Sequence, residues 1–369
     1  MGARERAGTH PVKDGGVARA GEATPSPLRP WAFTAFAVAS FGGPLALAAS
    51  GAPGLAADAG ESSGFAMLAG AVAFLVPLAI WLRYSREVTG SGGLYGFVEA
   101  AAGRRVALVQ AAIWTFLVAV MLAGRTAAFV VLGVIAAGQL VLAGILDGVT
   151  LTHVSTPISS FGAGAGVGAL AKTGAQTSQL YVCGSLPLFL GGELAAPART
   201  IRRGLSAAFV ATALVIVLAV APLAASPGLL STDIPGVSVA QQFAGVGLAR
   251  AIGIGVAAST AGVILCEYVA LTRLIHAIGR WRIRPIAAAI GAVVLLAAPL
   301  TLIDPDGFYD TLLRPSLVAL WLSQLIVFAV YPLFAIKGRQ RLGPAFALAL
   351  GAGAFAVYGL ITALQQASS

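Results

Sequence analysis

Apolar positions in this chain fall in long continuous stretches rather than in the alternation of strands. Runs free of charged residues cover Trp31 to Ala57, Ser62 to Leu82, Val106 to Gly124, Thr126 to Leu146, Thr173 to Gly192 and Gly204 to Thr232. Others follow at Ala251 to Cys266, Pro285 to Ile303, Pro315 to Ile336 and from Leu342 onward. A helix needs about 20 apolar residues to cross a hydrocarbon core, so the pattern predicts about ten transmembrane helices and an all-α polytopic membrane protein. Ala, Leu, Val and abundant Gly fill these runs, as suits helices that pack closely in lipid.

Two of the runs are broken in their middles by residues that oppose helix. The first break reads Ser40-Phe41-Gly42-Gly43-Pro44 and the second Cys183-Gly184-Ser185-Leu186-Pro187. Glycine tolerates unusual dihedrals, and proline lacks a donor and clashes with the preceding turn. In a bilayer, non-helical backbone survives only where it lines a cavity or is buried in protein. Each break alone reads equally well as a proline kink satisfied by its neighbours. Two of them at comparable positions in the two halves of the chain point to a transporter's substrate site. Freed amides from Gly43 to Leu45 form a helix N-terminus suited to a carboxylate. Carbonyls around Cys183 to Ser185, with the Ser185 hydroxyl, suit an ammonium group or a cation.

Composition excludes a soluble domain, since 58% of the 369 residues are hydrophobic and only 10% charged. The net charge of +9 invites a nucleic-acid partner, but its placement argues against one. Nineteen of the 23 Lys and Arg residues lie in five groups: the first 30 residues, the stretch from Arg83 to Arg105, Arg199 to Arg203, Arg273 to Arg284, and Lys337 to Arg341. The connections between them carry Asp58 and Glu61, then Asp233, then Asp304, Asp306 and Asp310. This positive-inside pattern predicts a multi-pass protein of the cytoplasmic membrane with a cytoplasmic amino terminus. Residues 1–30 read as a disordered cytoplasmic tail, since the apolar run after them is too long for a signal-peptide core. The remainder, 31–369, reads as one transmembrane domain. Its first half spans about 31–147 and its second about 178–336, with a further helix at 343–365.

The charge pattern also sets a parity problem. If every run crosses, the segment ending at Arg202-Arg203 finishes on the wrong side, so either the Thr126 to Leu146 run is not a simple span or a helix is missing near Arg125, which the very short connection Leu122 to Arg125 favours.

Three further stretches make a family resemblance specific. Ser91-Gly92-Gly93-Leu94-Tyr95-Gly96-Phe97 precedes the third apolar run, Glu193-Leu194-Ala195-Ala196-Pro197-Ala198-Arg199-Thr200-Ile201 follows the second break, and Leu271-Thr272-Arg273 closes a later run. The chain resembles the amino acid-polyamine-organocation superfamily of permeases from about Trp31 to Ile336. The resemblance implies a five-plus-five inverted-repeat helical bundle, with helices 1 and 6 unwound around an amino acid held by its ammonium and carboxylate groups. Carried over by position, Ser40, Phe41, Gly42, Gly43, Pro44 and Leu45 form one wall of the site. Cys183, Gly184, Ser185 and Leu186 form the other. Ser185 and Leu186 replace the aromatic residue usual in the family, which alters the gate and the side-chain pocket.

The resemblance assigns Na+ coupling to Ser259 and Thr260, although such hydroxyls also bond their own preceding turn; H+ coupling needs a titratable group, and Glu267 is the one carboxylate of that helix. A cytoplasmic gate is expected from Glu193 with Arg199, Arg202 and Arg203, and from Glu267 with Arg273; topology anchoring is the alternative role for these charges. Gln139 is polar but does not titrate. The function implied is secondary active transport of an amino acid or small amine by alternating access. The alternatives are a truncated or non-transporting homologue, or a sensor or channel on the same scaffold. No cofactor is expected, and Cys183, Cys266 and the three histidines have no metal-site or disulfide spacing. The partners expected are the small-molecule substrate and the lipid bilayer. A phosphate-loop reading of Phe161 to Thr173 fails, because Ala171 stands where glycine is required and no strand precedes it. An enzyme is not expected, and Phe161 to Thr173 reads as an external loop.

Overall fold

The structure is a computed structural model and describes residues 27–90, 92–110, 125–292 and 314–368. Among these it is helical throughout, with a single isolated β-bridge, between Leu28 and Leu194. Among the described residues, seven helices are long and apolar enough to cross a membrane: Pro30–Ala56, Ala59–Glu87, Val130–His153, Pro197–Ala225, Val246–Gly279, Val318–Lys337 and Leu342–Leu364. The chain is therefore a multi-pass helical membrane protein. Most of the Val106 to Gly124 run, half of the Pro285 to Ile303 run and the junction before Arg125 where a helix was expected to be missing lie outside the described residues.

Helix α1 spans Pro30–Ser40, and α2 follows the first break as three abutting pieces, Pro44–Ala46, a π-helical turn Leu47–Gly51 and Ala52–Ala56. Next come α3 (Ser63–Glu87), α4 (Gly93–Ala102) and α5 (Arg125–His153). Helix α6 (Val167–Gln179) leads into a 3-10 segment, Val182–Glu193, and α7 (Pro197–Val220) continues from it. The chain closes with α8 (Pro235–Ala244), α9 (Val246–Gly279), α10 (Arg314–Ala329), α11 (Tyr331–Lys337) and α12 (Leu342–Ser368). Proline occupies the first turn of α1, α2, α7 and α8, where its missing N–H costs nothing and its fixed φ suits a helix start.

Two findings depart from the apolar pattern. Helix α6 begins at Val167, so the second half of the expected Phe161 to Thr173 loop is helical. Helix α5 runs on to His153, seven residues past the end of its charge-free run, and carries Asp147 with it.

Helix α1 packs on α5, α7 and the 3-10 segment, while α9 lies along α2, α5 and the 3-10 segment. Helices α5 and α9 run antiparallel: Ile135 meets Gly262, Gln139 meets Ser259 and Leu142 meets Gly255. Both breaks therefore sit in the middle of the bundle, against one long helix. The chain just before α1 is tied to the same assembly, since Leu28 donates its N–H to the Glu193 carbonyl at 2.7 Å. The last residues of the expected tail are thus docked.

Candidate substrate site between the two breaks

The first break is open backbone. Gly42 and Gly43 have φ of 76° and 69°, in the left-handed region that side-chain-bearing residues rarely enter. Phe41 closes α1 by bonding back to Ala37, and Gly42 donates to the Ser40 carbonyl at 2.8 Å. At the start of α2, Pro44 has no N–H to give, and the Ala46 N–H reaches the Ser259 hydroxyl at 3.4 Å. No backbone acceptor among the described residues takes the N–H groups of Gly43 or Leu45. Those donors head a half-helix of 13 residues in its three pieces, as the Gly-Gly-Pro pattern predicts.

The second break is different. Val182–Glu193 winds into an unbroken 3-10 helix of 12 residues, and Gly184 keeps a negative φ. The expected gap with exposed carbonyls is replaced by a tightened helix. Pro187 has no N–H for the i→i−3 bond to the Gly184 carbonyl, so the tightened helix lacks that one bond. Gly184 serves contact, not flexibility: a Cβ there would lie 2.7 Å from Phe41 Cδ1 and closer still to Cε1 and Cζ.

Phe41 is consequently the centre of the site. Its ring covers Gly184 and packs edge-on against Phe74 (6.3 Å between centroids) and Tyr181 (6.4 Å), and tilted on Phe209 (6.0 Å). All four rings are buried. Leu45 and Leu186 are buried in separate apolar clusters, Leu45 with the cluster around α2, α5 and α8. Ser40 is buried and donates to the Ala37 carbonyl at 2.8 Å, so its hydroxyl is committed to its own helix. Cys183 is half-buried.

Ser259 lies against the first break. Its hydroxyl donates to Gln139 Oε1 at 2.5 Å while accepting from Ala46, and a Cβ on Gly43 would lie 3.1 Å from its carbonyl oxygen. Thr260 is not brought to the site: it is exposed and bonds back to Val256 of its own helix at 3.1 Å.

The charged residues pair differently from expectation. Arg273 donates its Nε to Glu193 Oε1 at 2.8 Å, and both side chains are largely buried, 4% and 11% exposed. Glu193 takes its cation from α9 because the 3-10 segment ends against that helix. Glu267 is therefore not Arg273's partner, and Arg199, Arg202 and Arg203 project from the first turns of α7 as exposed side chains. The Leu28 to Glu193 bond ties the chain entry to the same corner.

Residues not foreseen complete the site. Gln324 donates its amide N–H to Ser185 Oγ at 3.1 Å, and Gln110 does the same to Ser323 Oγ at 2.8 Å. Both glutamines are buried, and a neutral polar residue inside an apolar run was the signal for each. Asp147, on α5, is 4% exposed, and its Oδ1 has no partner among the described residues. An ionisable residue inside a spanning helix is the corresponding signal, hidden because the charge-free run stops one residue before it.

No family model matches the chain, and no curated protein matches it. Among solved structures it is similar to a manganese transporter from Eremococcus coleocola, crystallised with an aromatic bis-isothiourea substituted compound. The identity is 14%, the TM-score is 0.38, and the match covers 90% of this chain and 86% of that one. A likeness that loose assigns neither family nor cargo.

Proposed function

We propose that the chain is a secondary active transporter for an amino acid or a related small amine, working by alternating access around the two breaks in a five-plus-five bundle. The observation that carries this reading is the first break. It has two consecutive left-handed glycines, unbonded amides at the head of α2, and a ring from α1 pressed on the glycine of the second break. Such backbone at the middle of a spanning helix is otherwise a net cost.

In this reading the Gly43 and Leu45 amides take the substrate carboxylate, aided by the positive end of α2. The Phe41 ring is the gate that must swing off Gly184 for substrate to enter. Ser259 and Gln139 brace the first break from α9 and α5, and Ser259 is the side chain placed to add an oxygen to a coupling Na+. The buried Glu193–Arg273 pair, with the Leu28 bond, latches the cytoplasmic end.

The test is uptake of labelled amino acids into vesicles carrying the purified full chain, under imposed sodium or proton gradients. Concentrative uptake that is lost in Gly43→Val and Gly184→Val, with membrane insertion intact, is the expected result. Binding without accumulation makes the protein a sensor, downhill flux alone makes it a channel, and retained uptake in both variants removes the site.

A further inference from the structure

The Ser185 hydroxyl, on the wall expected to receive the substrate's ammonium group, is already committed. It donates its one proton to the Val182 carbonyl at 3.2 Å, so the contact with Gln324 at 3.1 Å has to be an N–H of Gln324 donated to Ser185. That fixes which way the Gln324 carboxamide points. Its Oε1 is turned away from Ser185 and has no partner among the described residues. Ser323, the neighbouring residue on α10, accepts the N–H of Gln110, whose Oε1 is likewise unpartnered. The two glutamines are 0% and 1% exposed. Buried polar atoms nearly always find partners, so two orphaned acceptors, one on the glutamine bonded to the second break and one on the glutamine bonded to the next residue of α10, point to a donor that belongs there.

We propose that Gln324 and Gln110 are specificity-determining residues whose carboxamide oxygens accept N–H donors from the cargo. The carrier then takes a solute with an ammonium, guanidinium or primary amide group in addition to a first ammonium and any α-carboxylate, and discriminates against counterparts whose second group is acidic or apolar. One serine holds each glutamine by its NH2 end, Ser185 for Gln324 and Ser323 for Gln110, which leaves the carboxamide oxygens to face a donor. Discrimination follows because a solute without an N–H group beyond its first ammonium leaves both oxygens buried and unpaired, the situation in which a hydrogen-bonding site rejects its isostere most strongly. This inference rests on the carrier reading above.

The experiment uses purified full-length chain in detergent and reads apparent affinity from thermal unfolding. The probes are matched pairs: lysine with norleucine, glutamine with glutamate, and cadaverine with hexylamine. At least one donor-bearing member is expected to bind about tenfold or more tighter than its counterpart. Gln324→Leu should collapse that ratio to about threefold or less, and Gln324→Glu should retain the preference for lysine over norleucine. Gln110→Leu serves the same purpose if Gln324→Leu does not fold. An unchanged ratio in the leucine variants overturns the proposal and leaves trapped water as the donor, as does a wild-type preference for norleucine or glutamate. If no member of the panel shifts the wild type, the carrier reading falls and the inference with it; a shift without discrimination sinks the inference alone.

Discussion

Substitution of Gly184 measures how tightly the two breaks are locked together. Gly184 has an ordinary negative φ inside a 3-10 helix, so on backbone grounds alanine is allowed there. In open space Gly→Ala would stabilise by about 0.4–1 kcal/mol through the unfolded chain. Here the added carbon lands inside the Phe41 ring, 2.7 Å from Cδ1, and the ring is walled in by Phe74, Tyr181 and Phe209. Overpacking of that kind costs about 1–3 kcal/mol, so the sign reverses and Gly184→Ala is expected to destabilise. Phe41→Ala alone should cost about 3–5 kcal/mol, the range for a large buried aromatic. In Phe41→Ala/Gly184→Ala the new methyl points into vacated space. The double variant should then be no worse than Phe41→Ala, a coupling of about 1–3 kcal/mol between residues 143 positions apart. Thermal unfolding of the detergent-solubilised chain reads this, at roughly 2 °C or less per kcal/mol for a chain of this size. Additive losses in the double variant would refute the reasoning, because they would mean that Phe41 does not cover Gly184.

Two more outcomes follow from the buried charges. Glu193→Gln should destabilise by about 3–5 kcal/mol, since it leaves the buried Arg273 guanidinium without its carboxylate, and adding Arg273→Met should recover part of that loss; a loss below about 0.5 kcal/mol in Glu193→Gln would show the pair to be solvated. Asp147→Asn should leave the melting temperature unchanged or raise it, since it uncharges a buried group whose Oδ1 has no recorded partner; a loss above about 1 kcal/mol would reveal a partner.

The first break was legible residue by residue, because Gly-Gly-Pro states a backbone requirement that no other residues meet. The second was misread for a related reason. Gly184 three residues before a proline looks like a demand for flexibility, yet what it meets is the ring of Phe41 at the end of another helix, and local sequence carries no sign of that. Arg273 was assigned to Glu267 because the two share a helix, whereas tertiary approach of the 3-10 segment gave it Glu193. Thr260 was paired with Ser259 by adjacency, but consecutive helix positions lie about 100° apart, so only one of them faces the break. Spans were read well where apolar runs were long, and poorly where small residues let a helix begin early, as at Val167.

The bond from Leu28 to Glu193 joins the start of α1 to the end of the 3-10 segment, the same end where Arg273 grips Glu193. Helix α1 is 11 residues long and terminates at the Gly42–Gly43 joint, so it works as a lever whose short arm is fastened to the other broken element. The two arms are yoked at one end and touch through Phe41 and Gly184 at the other. In the carrier reading, movement of α1 without the 3-10 segment must first break the Leu28–Glu193 amide bond, while the Glu193–Arg273 pair holds the 3-10 segment to α9.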